Sequence, residues 1–236
     1  MNRAIVLLAY VVLAGCASSH TLDRPAEYYG SVAQTTAGEA SLFGSDSAVL
    51  SDVDIARILA YRYTPPRLSR LAILPFGWNA WSGWSEEMAV STEEINAKVI
   101  SALKASPKIY DASFLPSILV PEKRNVPYLR EAAARYQADL LLVFRSGCRS
   151  FEKYRIFKAD QVRAFCNVEA ILLDTRTGLV PFVATSSRSY DSAQSEGDLN
   201  FREAVLRSQL NAIAAALGEV AGAVVRFLAS ASKPAA

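Results

Sequence analysis

Residues 138–178 read ADLLLVFRSGCRSFEKYRIFKADQVRAFCNVEAILLDTRTG, and their periodicity decides the fold. Ala138 to Arg145 is a nearly continuous apolar run, the pattern of a strand buried on both faces. Beyond it the pattern alternates, and residues 140–156 and 160–173 are expected to form a hairpin. Setting Cys148 opposite Cys166 makes paired residue numbers sum to 314 and centres the turn on Phe157, beside Lys158-Ala-Asp160. That register also sets Leu142 against Leu172, Phe144 against Ala170 and Arg145 against Glu169, an apolar base followed by an opposite-charge pair. Asp174-Thr-Arg-Thr-Gly178 reads as a turn, and Leu179 to Tyr190 as a returning strand.

Working outward, Arg70 to Phe76 and Lys108 to Phe114 read as two further strands. Between them Ser91-Thr-Glu-Glu94 has the spacing of a capping box, and Ile95, Val99 and Leu103 repeat at helical intervals. Val126-Pro127 opens a helix through Tyr136, with proline in its first turn. A long helix runs from about Asn200 to Leu228. The order β-α-β-α-β-β-β-α predicts an α/β (α+β) fold, with a mixed sheet, helices mainly on one face and a long C-terminal helix.

Before this domain, Ser51 and Asp54 cap a short helix. It carries Ile55, Ile58, Leu59 and Tyr63 on one stripe and ends at Thr64-Pro65-Pro66. The expected organisation is a signal peptide at 1–15, a tether at 16–50 rich in Ser, Ala, Gly and Thr, the helix and proline linker at 51–67, one domain at 68–230 and a tail at 231–236.

The N-terminus explains the tether. Met-Asn-Arg precedes an apolar run from Ala4 to Leu13, then Leu13-Ala14-Gly15-Cys16. A cationic start, about ten apolar residues and a small-residue cleavage site define an export signal, too short to span a membrane. The last four residues resemble the lipobox of bacterial lipoproteins, which implies cleavage before Cys16 and acylation of that cysteine. The alternative is an ordinary signal with a chance cysteine. Ala17 and Ser18 lack the aspartate of inner-membrane retention, so the expected location is the cell envelope, at the outer membrane facing the periplasm.

The charge balance, 25 Lys and Arg against 23 Asp and Glu, offers no global attraction for nucleic acid. Of three cysteines, one is assigned to lipid. Cys148 and Cys166 remain in an oxidising compartment, as a disulfide or as two buried thiols. The single histidine, His20, lies in the tether, where no histidine-based triad or multi-histidine metal site can be assembled. No glycine-rich nucleotide motif is present. No metal, cofactor or catalytic residue is assigned.

Three segments carry a resemblance: Leu71-Ala-Ile-Leu-Pro-Phe76, Ala134-Arg-Tyr-Gln-Ala-Asp-Leu-Leu-Leu-Val143 and Val168-Glu-Ala-Ile-Leu-Leu-Asp-Thr-Arg-Thr-Gly178. They resemble the signature segments of curli-secretion-like lipoproteins, and are similar to lipoprotein activators of penicillin-binding proteins and to rhombotarget lipoproteins. The resemblance spans roughly residues 68–228. It implies a non-enzymatic envelope protein that works by assembly or by touching another protein. Pore-forming members need hairpins apolar on the lipid face, whereas this hairpin carries Arg149, Lys153, Arg155, Lys158 and Arg163.

Three surfaces are candidates for contact. On the hairpin, even positions carry Ser146, Cys148, Ser150, Val162, Ala164 and Val168. Odd positions set Arg145, Arg149, Lys153, Arg155 and Arg163 among Phe151 and Phe165, a combination suited to anionic glycan or lipid headgroups, or else a solvated ribbon. The loop after the first strand holds all three tryptophans, Trp78, Trp81 and Trp84, as partner anchors or as a lid on the core. Leu206, Leu210, Ile213, Leu217, Val220, Val224 and Phe227 form a heptad seam, for pairing between copies or for packing on the chain's own sheet. Gly218 and Gly222 favour the second reading if they allow close backbone approach to that sheet. The expected function is a non-catalytic envelope adaptor or assembly factor with an envelope protein partner. An export-channel component and a periplasmic hydrolase are the alternatives.

Overall fold

Local rules account for where the elements begin and end in the computed structural model, which describes residues 42, 50–76, 86–154, 158–198 and 200–231, with the side chains of 86–89 left aside. Helix α1 (Asp52–Ala60) starts at Ser51, whose hydroxyl accepts the Asp54 N–H at 3.2 Å. Its apolar stripe stays at the surface, with Leu59 74% exposed. The chain joins the core three residues after the helix, where Tyr63 stacks on Phe227 and Phe227 on Phe182, with ring centroids 6.2 and 4.8 Å apart.

Strand β1 (Ser69–Pro75) is followed by α2 (Glu86–Lys104), β2 (Ile109–Phe114), a short 3₁₀ turn at Ser117–Leu119 and α3 (Val126–Arg135). The meander β3 (Leu140–Lys153), β4 (Gln161–Asp174) and β5 (Phe182–Ala193) leads into α4 (Phe201–Ser230). Helix α3 is capped by Asn125, with proline in its first turn as its sequence predicts. It ends in a Schellman motif: Ala138 N–H donates to Ala133 O, Gln137 N–H donates to Ala134 O, and Gln137 adopts φ 60°.

The five strands lie in the order β2-β1-β3-β4-β5. The first three are parallel and the meander is antiparallel. The observed class, element order and long last helix are those the sequence predicts. The hairpin register is also the predicted one, pairing Leu142 with Leu172, Phe144 with Ala170 and Cys148 with Cys166.

Even positions of the meander turn toward α2 and α4, where Leu140, Leu142, Phe144, Val168, Ala170 and Leu172 meet Ile95, Val99 and Leu103 of α2 and Leu210, Ile213, Leu217, Val220 and Val224 of α4. Among the described residues, α3 is the one helix on the other face, packing on Ala72, Leu74, Leu141, Val143 and Leu173 through Val126, Leu129, Ala132 and Ala133. Leu42 joins that second cluster, and its carbonyl accepts the Val126 N–H at 2.9 Å.

Helix α4 is long and apolar enough by composition to cross a membrane, but its heptad seam is used in the core. The two glycines correct a detail of the sequence reading. They do not serve approach to the sheet: a Cβ built on Gly218 meets nothing within 4 Å, and one on Gly222 meets only the Arg226 guanidinium of the same helix.

Candidate functional site

Side-chain alternation and strand length together build one open surface. Strand β3 pairs with β1 from Leu140 to Phe144 and then runs on alone with β4 to Lys153. Nine residues therefore overhang the end of β1, about 30 Å at the usual strand rise. The even face of this overhang lies under α4. The odd face begins where the contacts of α3 on Leu141, Val143 and Leu173 stop, and from Arg145 onward its β3 residues are exposed.

On that face cations and rings alternate across strands. Arg149 lies opposite Phe165, and Phe151 opposite Arg163. Phe151 is 64% and Phe165 46% exposed. Two arginines are held by acids from neighbouring strands. Arg145 Nη2 lies 2.7 Å from Glu169 Oε2. Arg163 grips Asp191 bidentately, with Nε to Oδ1 and Nη2 to Oδ2 both at 2.6 Å. That grip holds the Asp191 carboxyl below the usual carboxylate range and raises Arg163 further. Both pairs are solvent-exposed, so they position side chains more than they stabilise the fold. Lys153, exposed at the far end, joins Phe151, Gln161, Arg163, Asp191 and Ala193 around a shallow open hollow.

The even face fixes the platform. Cys148 and Cys166 form a disulfide, with Cα atoms 4.1 Å apart, the spacing of a narrow non-hydrogen-bonded pair. Cys166 Sγ sits 3.5 Å from the Gln209 carbonyl of α4, and Gln209 Nε2 donates to Ser150 Oγ at 2.9 Å. At the tip, Tyr154 donates to the Glu152 carboxylate and packs on Phe201. This hydrogen bond first, and burial second, push the Tyr154 phenol up to about 12. Asp198, ahead of α4, takes Arg207 Nη2 at 2.9 Å and the Ser195 N–H at 2.7 Å, and Arg207 leads in pulling its pKa down to about 2.

The structure thus brings together Arg149, Lys153 and Arg163 of the residues expected to bind. Cys16, Trp78, Trp81, Trp84 and Arg155 lie outside the described residues. The tryptophan loop is bounded by the carboxyl end of β1 at Pro75 and the start of α2 at Glu86. Sequence reading missed Asp191, because its place opposite Arg163 follows only from the register of β5 on β4. Among the described residues, no three His, Cys, Asp or Glu side chains stand close enough to share a metal ion. The face offers fixed charges, rings and amides.

No family model matches the chain, and no curated protein matches it. Solved structures similar to it include a PelC dodecamer from Paraburkholderia phytofirmans at 15% identity, covering 69% of this chain and 92% of that one with a TM-score of 0.34. Others are a lipoprotein from Neisseria meningitidis, at 15% identity over 69% and 99% of the two chains with a TM-score of 0.30, and a minor lipoprotein from Acinetobacter baumannii, at 9% over 71% and 95% with a TM-score of 0.31. Likenesses this distant carry no argument about function. The fold rests on the sheet and core described above.

Proposed function

We propose that the chain is a non-catalytic envelope lipoprotein, tethered by lipid on Cys16 and acting as an adaptor or assembly factor. The observation that carries this reading is the open odd face of the overhang. There Arg149, Lys153 and Arg163 alternate with exposed Phe151 and Phe165 on a platform clamped from behind by a disulfide and a helix. Cations beside aromatic faces gain from both charge and stacking when they meet an anionic, ring-bearing or acidic protein surface.

The tryptophan loop is the second element of this proposal, since it leaves the sheet at the same end of β1 from which the hairpin overhangs. The partner is an envelope protein, with anionic glycan or lipid headgroups as the other matching chemistry. An export-channel role suits the structure less well, because the even face of the hairpin is spent on α4 and the odd face is charged. The outer membrane facing the periplasm is the proposed location.

The test is in-cell photocrosslinking from a benzophenone side chain replacing Phe165. A discrete adduct to one envelope protein is expected. It should weaken several-fold when Arg149 and Lys153 are both changed to Glu, or with Trp81→Ala. An adduct insensitive to all three changes, or none at all, would overturn the assignment of this face.

A further inference from the structure

Among the described residues strand β5 ends the sheet, and natural edge strands of this length are ordinarily blunted by proline, charged side chains, a bulge or a covering segment. Beta-strand β5 runs from Phe182 to Ala193 without proline or lysine, its two charges, Arg188 and Asp191, are each paired within the chain, with Glu219 and Arg163, and its register on β4 is unbroken from Phe182 to Ala193. The direction of its free groups follows from the disulfide. Cys148 and Cys166 form a narrow pair, so the main-chain groups of Cys166 turn to β5, and those of Arg188 opposite it turn back. Odd-numbered residues of β5 therefore turn their N–H and C=O groups outward. Consistently, the Ser187 carbonyl takes the guanidinium of Arg188, and the Ala193 carbonyl takes Arg207 at 3.4 Å. The outward N–H groups of Val183, Thr185, Ser187, Ser189 and Asp191 have no acceptor among the described residues.

We infer that this edge pairs with β5 of a second copy, antiparallel about a two-fold axis at Ser187, to make a continuous ten-stranded sheet. Self-complementarity selects the occupant and the register. Outward residues must face outward residues, so the axis falls on a residue, and only axes at Ser187 or Arg188 use nearly the whole strand. An axis at Arg188 sets Arg188 against its own copy, a like-charge contact. An axis at Ser187 sets Arg188 opposite Ser186 of the other copy, whose hydroxyl donates to Glu219 at 2.7 Å. Arg188 already pairs with its own Glu219, so in the dimer each arginine stands between two carboxylates. On the other face Thr185 meets Ser189 and Ser187 meets Ser187. The five outward residues on each strand then form up to about ten inter-chain main-chain hydrogen bonds.

The helices fit the same geometry. Helix α4 covers β4 and β5, and continuing the sheet at the usual strand spacing brings the two α4 axes to about 10 Å, an ordinary helix-packing distance. The flank of α4 beside Glu219 carries Ala215 and Gly222, and Gly218 stands in open space. Small residues there let the second helix approach, which gives a use to glycines that otherwise weaken an exposed helix. The inference rests on the β5 edge alone and stands or falls separately from the partner face.

The test uses the full chain in its native cells. Under oxidation, Ser187→Cys should give a disulfide-linked dimer of twice the chain mass on a non-reducing gel. Ser189→Cys should give at least tenfold less, because it faces residue 185 of the other copy. The unaltered chain should give none, and after detergent extraction it should sediment as a dimer that dissociates on dilution. Ser187→Pro removes an outward N–H and the hydroxyl that donates to Asn167 Oδ1 at 2.9 Å, but no main-chain bond to β4, so it should abolish the dimer while keeping the Cys148–Cys166 bond; Ser187→Ala, which loses the same hydroxyl and keeps the N–H, should keep the dimer. A chain that sediments as a monomer at every concentration, or equal crosslinking from positions 187 and 189, would overturn the inference.

Discussion

Gln137 stands in the left-handed region at φ 60°, where a side chain costs about 1 kcal/mol that glycine avoids. It occupies the position after the α3 cap, with both Schellman hydrogen bonds formed and with Ala133 and Ala138 buried beside it. Gln137→Gly is therefore expected to stabilise the domain by about 0.5–1 kcal/mol, read as a rise in urea midpoint at unchanged slope. Nothing in the sequence marks this residue, because the strain belongs to the backbone angle required to swing from α3 into β3. Gly178, at φ 77° against the Arg130 side chain, is the complementary case. There the turn residues Asp174 to Gly178 announce the conformation, and Asp174 Oδ2 accepts the Thr177 N–H at 3.0 Å.

At the scale of elements, the hairpin and the start of α4 each support a prediction. The disulfide closes a loop with a sequence separation of 18, so changing both cysteines to Ser should lower stability by about 3 kcal/mol. Thermal melts of the double variant and of reduced wild type should coincide. Non-reducing peptide mapping should recover Cys148 joined to Cys166.

Asp198 gives a pH dependence. Its pKa falls from the ordinary 3.8 to about 2 on folding, so the folded state binds its proton less readily than the unfolded state does. The stabilisation is complete above pH 4 and is lost as pH falls toward 2. Asp198→Asn should cost on the order of 1 kcal/mol at pH 7 and remove that part of the acid-side slope.

The register of this same hairpin was legible in the sequence because a two-residue period and a cysteine pair both constrain it. The placement of α3 opposite α2 and α4 was not, since periodicity says that a helix has an apolar side and not which face of a sheet receives it. The outward turn of Gly218 and Gly222 was missed for the same reason. Asp191 escaped because Ser-rich β5 lacks the apolar alternation that fixes a register.

For the molecule as a whole, membrane attachment is a proposal with a direct check. Cys16→Ser should move the protein from the membrane pellet to the soluble fraction, since acyl chains contribute roughly 0.8 kcal/mol per buried methylene. Retention in the pellet would reject the lipid anchor. That result leaves the overhanging face and the β5 edge untouched, as neither depends on the attachment.

The layout also has a mechanical consequence. The chain enters the sheet at Ser69, the start of β1, where its N–H is already fixed to the Lys108 carbonyl at 2.8 Å. The exposed hairpin projects from the opposite end of that strand. A pull between a fixed N-terminal point and a cargo held on the overhang runs along the strand axes. The rungs joining β1 to β3 are then loaded together in shear rather than peeled one at a time, so this interior strand can bear tension while the hairpin stays in place.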